Sequence, residues 1–207
     1  MGHMVHHKNC PTKQPFNTSP LMLTLTQVKD KLEPFVGQPQ CCPIQINKGM
    51  AGILMEKLAG IPQTSNIVDC QDGEVKSFPL KTLRGGAIVP KETVAVTMVQ
   101  LESLDRPFAE SNVFKKLTRT LYLPLSRDGD NIVLQKVVLH VLDPESALYK
   151  QLEDDYNAIC AAYKATGTLS GTSHLGKYLQ TRTKGAGHGT TSRAFYLRTC
   201  FLKEYII

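Results

Sequence analysis

The sequence predicts an α+β chain, and three features predict it. Apolar residues recur at helical spacing in three segments, short β-branched runs lie between glycine turns, and the two kinds of segment are interspersed without any repeat. A chain of 207 residues suits one domain of two lobes, and 42% hydrophobic with 20% charged residues describes a globular protein rather than a disordered one.

The elements follow in order. Leu25, Val28, Leu32 and Phe35 share one helical face, and Pro34 and Gly37 mark where that helix stops. Residues 38–43 read as a linker. A second helix is expected over 48–59, with Met50, Ile53, Leu54 and Leu58 on its apolar side, Gly60 as C-cap and Pro62 as a barrier to continuation. Strands are expected at 66–69, 74–78 and 93–101, with turns at Gln71-Asp72-Gly73 and Arg84-Gly85-Gly86. A short helix at 108–117 precedes strands at 119–125 and 131–142, which flank Asp128-Gly129. The second of these is apolar enough to lie centrally in a sheet.

Asp143 and Pro144 read as the N-cap and first turn of a long helix lined by Leu148, Leu152, Tyr156, Ile159 and Tyr163, ending at Gly167. Strands at 174–182 and 193–198 enclose a glycine-rich loop, and Thr199 is expected to cap a terminal helix. Strands joined in this way pair largely antiparallel. Residues 1–20, with His3, His6 and His7, read as a flexible leader; residues 21–207 form the domain, with lobes over about 21–142 and 143–207.

Charge is concentrated at the end of the chain. Residues 161–207 carry Lys164, Lys177, Arg182, Lys184, Arg193, Arg198 and Lys203 against Glu204 alone, so the whole net charge of +6 lies there. Tyr163, Tyr178, Phe195 and Tyr196 are interleaved with these cations, a pattern suited to a polyanion that also presents bases. No apolar run approaches the roughly 18–20 residues of a membrane span, and no interfacial amphipathic helix is evident, so no membrane partner is expected. The cysteines Cys10, Cys41, Cys42, Cys70, Cys160 and Cys200 contain no C-x-x-C pair and read as thiols of a reducing, cytoplasmic compartment.

The sharpest local signal is Glu74-Val75-Lys76 preceded by Asp69. Side chains two apart on a strand share a face, so Glu74 and Lys76 point the same way, and Asp69 can reach that edge. Converging carboxylates form a hard-oxygen site suited to Mg²⁺, and a neighbouring ammonium can hold a water and stabilise a phosphate's developing charge. The pattern is the D…(D/E)-x-K arrangement of metal-dependent DNA nucleases; taken alone, the triplet also fits a surface hairpin with a cross-strand ion pair. Glu56 sits on the preceding helix among Gly49, Gly52 and Gly60, a narrow face that allows close approach; it reads as a third site carboxylate or as a solvent-exposed Glu. His140 in its apolar strand reads as structural. His174 and His188 lack a Ser or Cys partner, and Gly185-Ala186-Gly187-His188-Gly189 lacks the ending of a phosphate loop.

With Asn47-Lys48-Gly49 before Glu56, Asp69…Glu74-Val75-Lys76, and Ser111-Asn-Val-Phe-Lys-Lys116-Leu-Thr-Arg, the chain resembles the catalytic half of the MutH family of mismatch-repair nicking endonucleases and the related GATC-cutting restriction enzymes. Tyr178-Leu-Gln-Thr-Arg182-Thr-Lys184 and Ala194-Phe-Tyr196-Leu-Arg resemble that family's DNA-contacting segments. The resemblance implies a two-lobed restriction-endonuclease-like core around a DNA cleft and Mg²⁺-dependent, sequence-specific hydrolysis of phosphodiesters, of restriction or repair type. It implies Glu56, Asp69 and Glu74 as metal ligands, Lys76 as the residue positioning water, and Lys116 as a further active-site lysine. Lys48, Arg182, Lys184 and Tyr196 would face double-stranded DNA. Asp72 is an alternative ligand, because only four residues separate Asp69 from Glu74, and Arg182-Thr-Lys184 departs from the family's Arg-Pro-Lys. A second copy would serve double-strand cutting and repair proteins would serve nicking, in a bacterial cytoplasm where the protein is nucleoid-associated when on DNA. The alternative is a DNA-binding module of the same fold without catalysis.

Overall fold

The computed structural model describes residues 22–42, 49–62, 65–169, 174–184 and 192–207. The expected leader, Lys48 and most of the glycine-rich loop lie outside the described residues. Five helices are described: α1 (Leu25–Leu32), α2 (Met50–Ala59), α3 (Asn112–Leu117), α4 (Ala147–Thr166) and α5 (Thr199–Tyr205). They pack on strands β1 (Pro39–Cys41), β2 (Glu74–Thr82), β3 (Ile88–Pro90), β4 (Val94–Met98), β5 (Arg119–Asp128), β6 (Asn131–Leu134), β7 (Val138–Val141), β8 (Leu179–Thr183) and β9 (Arg193–Leu197).

One sheet runs β1-β6-β5-β2-β3, with β7 also on β5, and a second runs β4-β9-β8. All these pairs are antiparallel except β2 with β5, which run parallel with Glu74 opposite Thr120 and Lys76 opposite Tyr122. The fold is α+β with a mixed, mostly antiparallel sheet, consistent with a restriction-endonuclease-like core.

The central strands divide the molecule because side chains alternate across a strand. Val75, Leu121, Leu123 and Leu125 face α1 and α2, where they meet Leu25, Val28, Leu32, Met55 and Ala59. Phe78, Leu80 and Tyr122 face the opposite way, into a core with Leu152, Tyr156, Ile159, Tyr178, Phe195 and Phe201. Tyr122, Phe201 and Tyr205 surround His140 with rings, and burial pushes its imidazole pKa down, which fits its structural reading.

Several boundaries differ from expectation for identifiable reasons. Residues 66–69 form bends rather than a strand, because the Asp69 side chain and the Cys70–Gly73 bridge close the chain back on itself. The segment 38–43 is not only a linker: β1 adds to the exposed edge of β6. The expected strand 131–142 is interrupted. Residues 135–137 face only Leu123 and Pro124, so one extra residue bulges between β6 and β7.

Helix ends shift similarly. Ser146, not Asp143, caps α4 by accepting from Tyr149 N, while Asp143 accepts from Glu145 N in the turn before it. Arg198 rather than Thr199 occupies the N-cap of α5, and its side chain makes no capping bond to the helix. The helix expected at 108–117 divides at Ser111, whose Oγ donates to Phe108 O and accepts from Phe114 N. On α2 the buried line is Met55 and Ala59, whereas Met50 and Ile53 are exposed; Gly60 does cap it, at φ +71°.

Candidate active site

The chain entering β2 is held in a tight turn by several hydrogen bonds. Cys70 N donates to Gly73 O, and Gln71 N donates to Leu23 O. Asp69 Oδ2 accepts from Val75 N at 3.1 Å. Asp72 Oδ1 accepts from Leu25 N at 2.7 Å, and its Oδ2 lies 3.2 Å from Arg119 Nη2. Asp72, the alternative ligand that the spacing suggested, thus links α1, the turn and β5. Gly73 is the point of closest approach: a Cβ there would stand 2.3 Å from Arg119 O and 2.5 Å from Leu25 Cδ1.

Glu74 follows at once and is only 1% exposed. A buried carboxylate needs compensating charge or hydrogen bonds, and two ammonium groups supply it. Lys76 Nζ lies 2.5 Å and Lys116 Nζ 2.7 Å from the same oxygen, Oε1. Lys76 comes from the same face of β2, as the period-2 spacing requires. Lys116 comes from the last turn of α3, which Ser111 caps and which Thr120 Oγ1 holds by donating to Lys116 O at 2.8 Å. The other Glu74 oxygen, Oε2, is buried without a hydrogen-bond partner. Glu74 thus stands in a narrow cleft lined by Lys76, Val94, Val96, Lys116 and Tyr122, one oxygen saturated and one free.

Glu56 lies half-buried on α2, across the strand. Its helix comes close to β2 because residue 52 is glycine, where a Cβ would stand 2.9 Å from Ser77 Oγ. Burial pushes the Glu56 carboxyl pKa above its ordinary value; the charge of Asp69 adds to this, Lys76 opposes it and Glu74 contributes less. Glu56 therefore stands within electrostatic reach of Asp69 and Glu74. The three acids do not, however, meet around one point as the sequence led us to expect: among the described residues no three His, Cys, Asp or Glu side chains are grouped so as to hold a metal ion. The pleat explains this. Ser77 and Val75 face α2, while Glu74 and Lys76 face β4 and α3, and Asp69 is engaged by Val75 N. The donor set has the hard-oxygen chemistry Mg²⁺ prefers, and Glu74 Oε2 is an orphaned buried acceptor. The residues fit the ion in kind.

The basic strands adjoin this cleft through β4. Its Val94 and Val96 line the cleft, and Ala95 pairs with Tyr196 of β9. Arg182 on β8 donates from Nη1 to Thr93 Oγ1 at 3.1 Å, and its guanidinium stands 6.0 Å from the Tyr196 ring centroid. Lys184 is exposed just past β8, and its N–H donates to Ser192 O. The structure so brings Arg182 and Tyr196 together, two residues from Lys184. Thr93 escaped the sequence reading, since a partner 89 positions away leaves no local pattern.

No curated protein matches the chain. Residues 63–155 match the family model described as DNA mismatch repair enzyme MutH. That segment is just under half of the chain and contains Asp69, Glu74, Lys76 and Lys116, while Glu56 precedes it and Arg182, Lys184 and Tyr196 follow it. Over that segment the chain is similar to MutH-type mismatch-repair enzymes.

Proposed function

We propose that the chain is a Mg²⁺-dependent, sequence-specific DNA endonuclease whose phosphodiester cleavage depends on Glu56, Asp69, Glu74, Lys76 and Lys116. The observation that carries this reading is the Glu74 carboxylate, buried in the family-matched segment, with two lysines on one oxygen and nothing on the other. Glu56, Asp69 and Glu74 would hold the metal, which when bound supplies Lewis acidity and a more acidic water. Lys76 would orient the attacking water beside the scissile phosphate, and Lys116 would stabilise charge on the phosphate oxygens. Arg182, Lys184, Lys48 and Tyr196 hold the duplex, with Tyr196 giving an aromatic face and the cations neutralising phosphates.

The test is nicking or linearisation of supercoiled plasmid in Mg²⁺, with EDTA and Glu74→Ala as controls. Cleavage by the wild type, and its loss in both controls, is the expected outcome. DNA retention by the wild type without cleavage would instead establish the second reading, a binding module of the same fold. That reading is favoured by the metal-ligand set standing open among the described residues.

A further inference from the structure

Asp155 is a buried acid that no part of the proposed chemistry uses. It is 3% exposed on α4 and has no cation partner among the described residues, an unusual condition for a carboxylate. Its lone pairs are met by neutral donors instead. Lys177 N donates to Oδ1 at 2.9 Å, Tyr178 N and Leu179 N donate to Oδ2 at 2.6 and 2.8 Å, and Gln151 Nε2 donates to Oδ1 at 2.8 Å. Three consecutive backbone N–H groups thus converge on one side chain. The chain wraps the carboxylate so closely that a Cβ on Gly176 would lie 2.0 Å from Leu179 O and 2.9 Å from Asp155 Cγ.

These amides belong to the entrance of β8, which among the described residues pairs only with β9, at the edge of the β4-β9-β8 sheet. An edge strand is held from one side only, and a slip of one residue turns every side chain to the opposite face. For β8 that slip would carry Arg182 away from Thr93 and Tyr196. Bonds to three successive amides fix the strand's starting point along its own axis, which one ladder bond cannot do.

We infer that Asp155 is a positioning residue for the DNA-facing strand: it pins the register of β8 so that Arg182 is presented beside Tyr196. The inference rests on the DNA-binding role proposed for Arg182. It assigns a function to Gly176 as well, since no other residue fits the turn that delivers the amides.

The test is a double-mutant cycle on DNA affinity, read well below each variant's melting midpoint. Each Asp155 oxygen accepts two bonds, so Asp155→Asn keeps the shape but sets an NH₂ against two of the four donors. Expected is a loss of affinity on the order of tenfold, close to that of Arg182→Ala, with no further loss in the double variant. In cleavage kinetics KM rises while kcat is retained, which a general loss of folded protein would not produce. Gln151→Ala, which keeps the carboxylate and removes one donor, repeats the cycle with a smaller loss should Asp155→Asn not fold. Additive losses, or wild-type affinity in the folded variants, overturn the inference while leaving the nuclease reading intact. Absence of DNA binding by the wild type overturns both.

Discussion

Lys76 and Lys116 contact the same Glu74 oxygen, yet they come from different elements and differ in surroundings. Lys76 shares the strand face of Glu74 and is 26% exposed; Lys116 arrives from α3 and is 17% exposed. The side chain nearer to solvent is the better placed to hold a water, and the more enclosed one to oppose buried charge. Lys76→Ala should therefore reduce cleavage by at least about 100-fold, the usual cost of removing one group that stabilises or activates at the reacting centre. DNA retention in a gel-shift experiment should stay near that of the wild type. Equal loss of cleavage and retention would remove the water-positioning role and make Lys76 a contact to the duplex.

At the level of the element, the turn between residues 69 and 73 governs where Glu74 stands. Backbone atoms of Arg119 and the Leu25 side chain occupy the space a Gly73 Cβ would need. Gly73→Ala should cost about 2–3 kcal/mol of stability by overpacking. Gly85→Ala, where nothing lies within 4 Å, should change stability by no more than about 0.5 kcal/mol. Chemical denaturation of the two variants makes the comparison, and equal midpoints would show that the turn can yield. These elements also mark what the sequence discloses. Glycine caps at Gly60 and Gly167 and the period of α4 are local signals, and they lie where expected. The parallel pairing of β2 with β5 is not local, since nothing near Glu74 names Thr120 as its neighbour. The residue types Glu74-x-Lys76 were legible for the same reason, whereas Lys116 reached the site only through the family resemblance. Its approach to Glu74 across 42 positions, onto the oxygen that Lys76 also contacts, was not legible. The expected meeting of Glu56 with Glu74 failed because the pleat sends Glu74 to the face away from α2.

The whole molecule joins two cores through one pair of strands, and its charge is as divided as its packing. Residues 161–207 hold the entire net charge of +6, and the β4-β9-β8 sheet carries part of that segment beside the Glu74 cleft. A polyanion drawn to the basic sheet is thereby delivered to the carboxylate, and the association should be dominated by release of condensed counterions. Log affinity for duplex DNA should fall linearly with log salt. Arg182→Ala should reduce the slope's magnitude by about 0.9, the value of one phosphate contact on B-form DNA, besides weakening binding for every sequence alike. Fluorescence anisotropy of a labelled duplex across a range of added salt reads both quantities. A lowered affinity with an unchanged slope would mean that Arg182 contacts a base edge rather than a phosphate, and a change in sequence preference would then accompany the loss. An unchanged affinity and slope together would place the DNA elsewhere on the protein, because Arg182 stands beside Tyr196 on the strand that adjoins the cleft through β9 and β4.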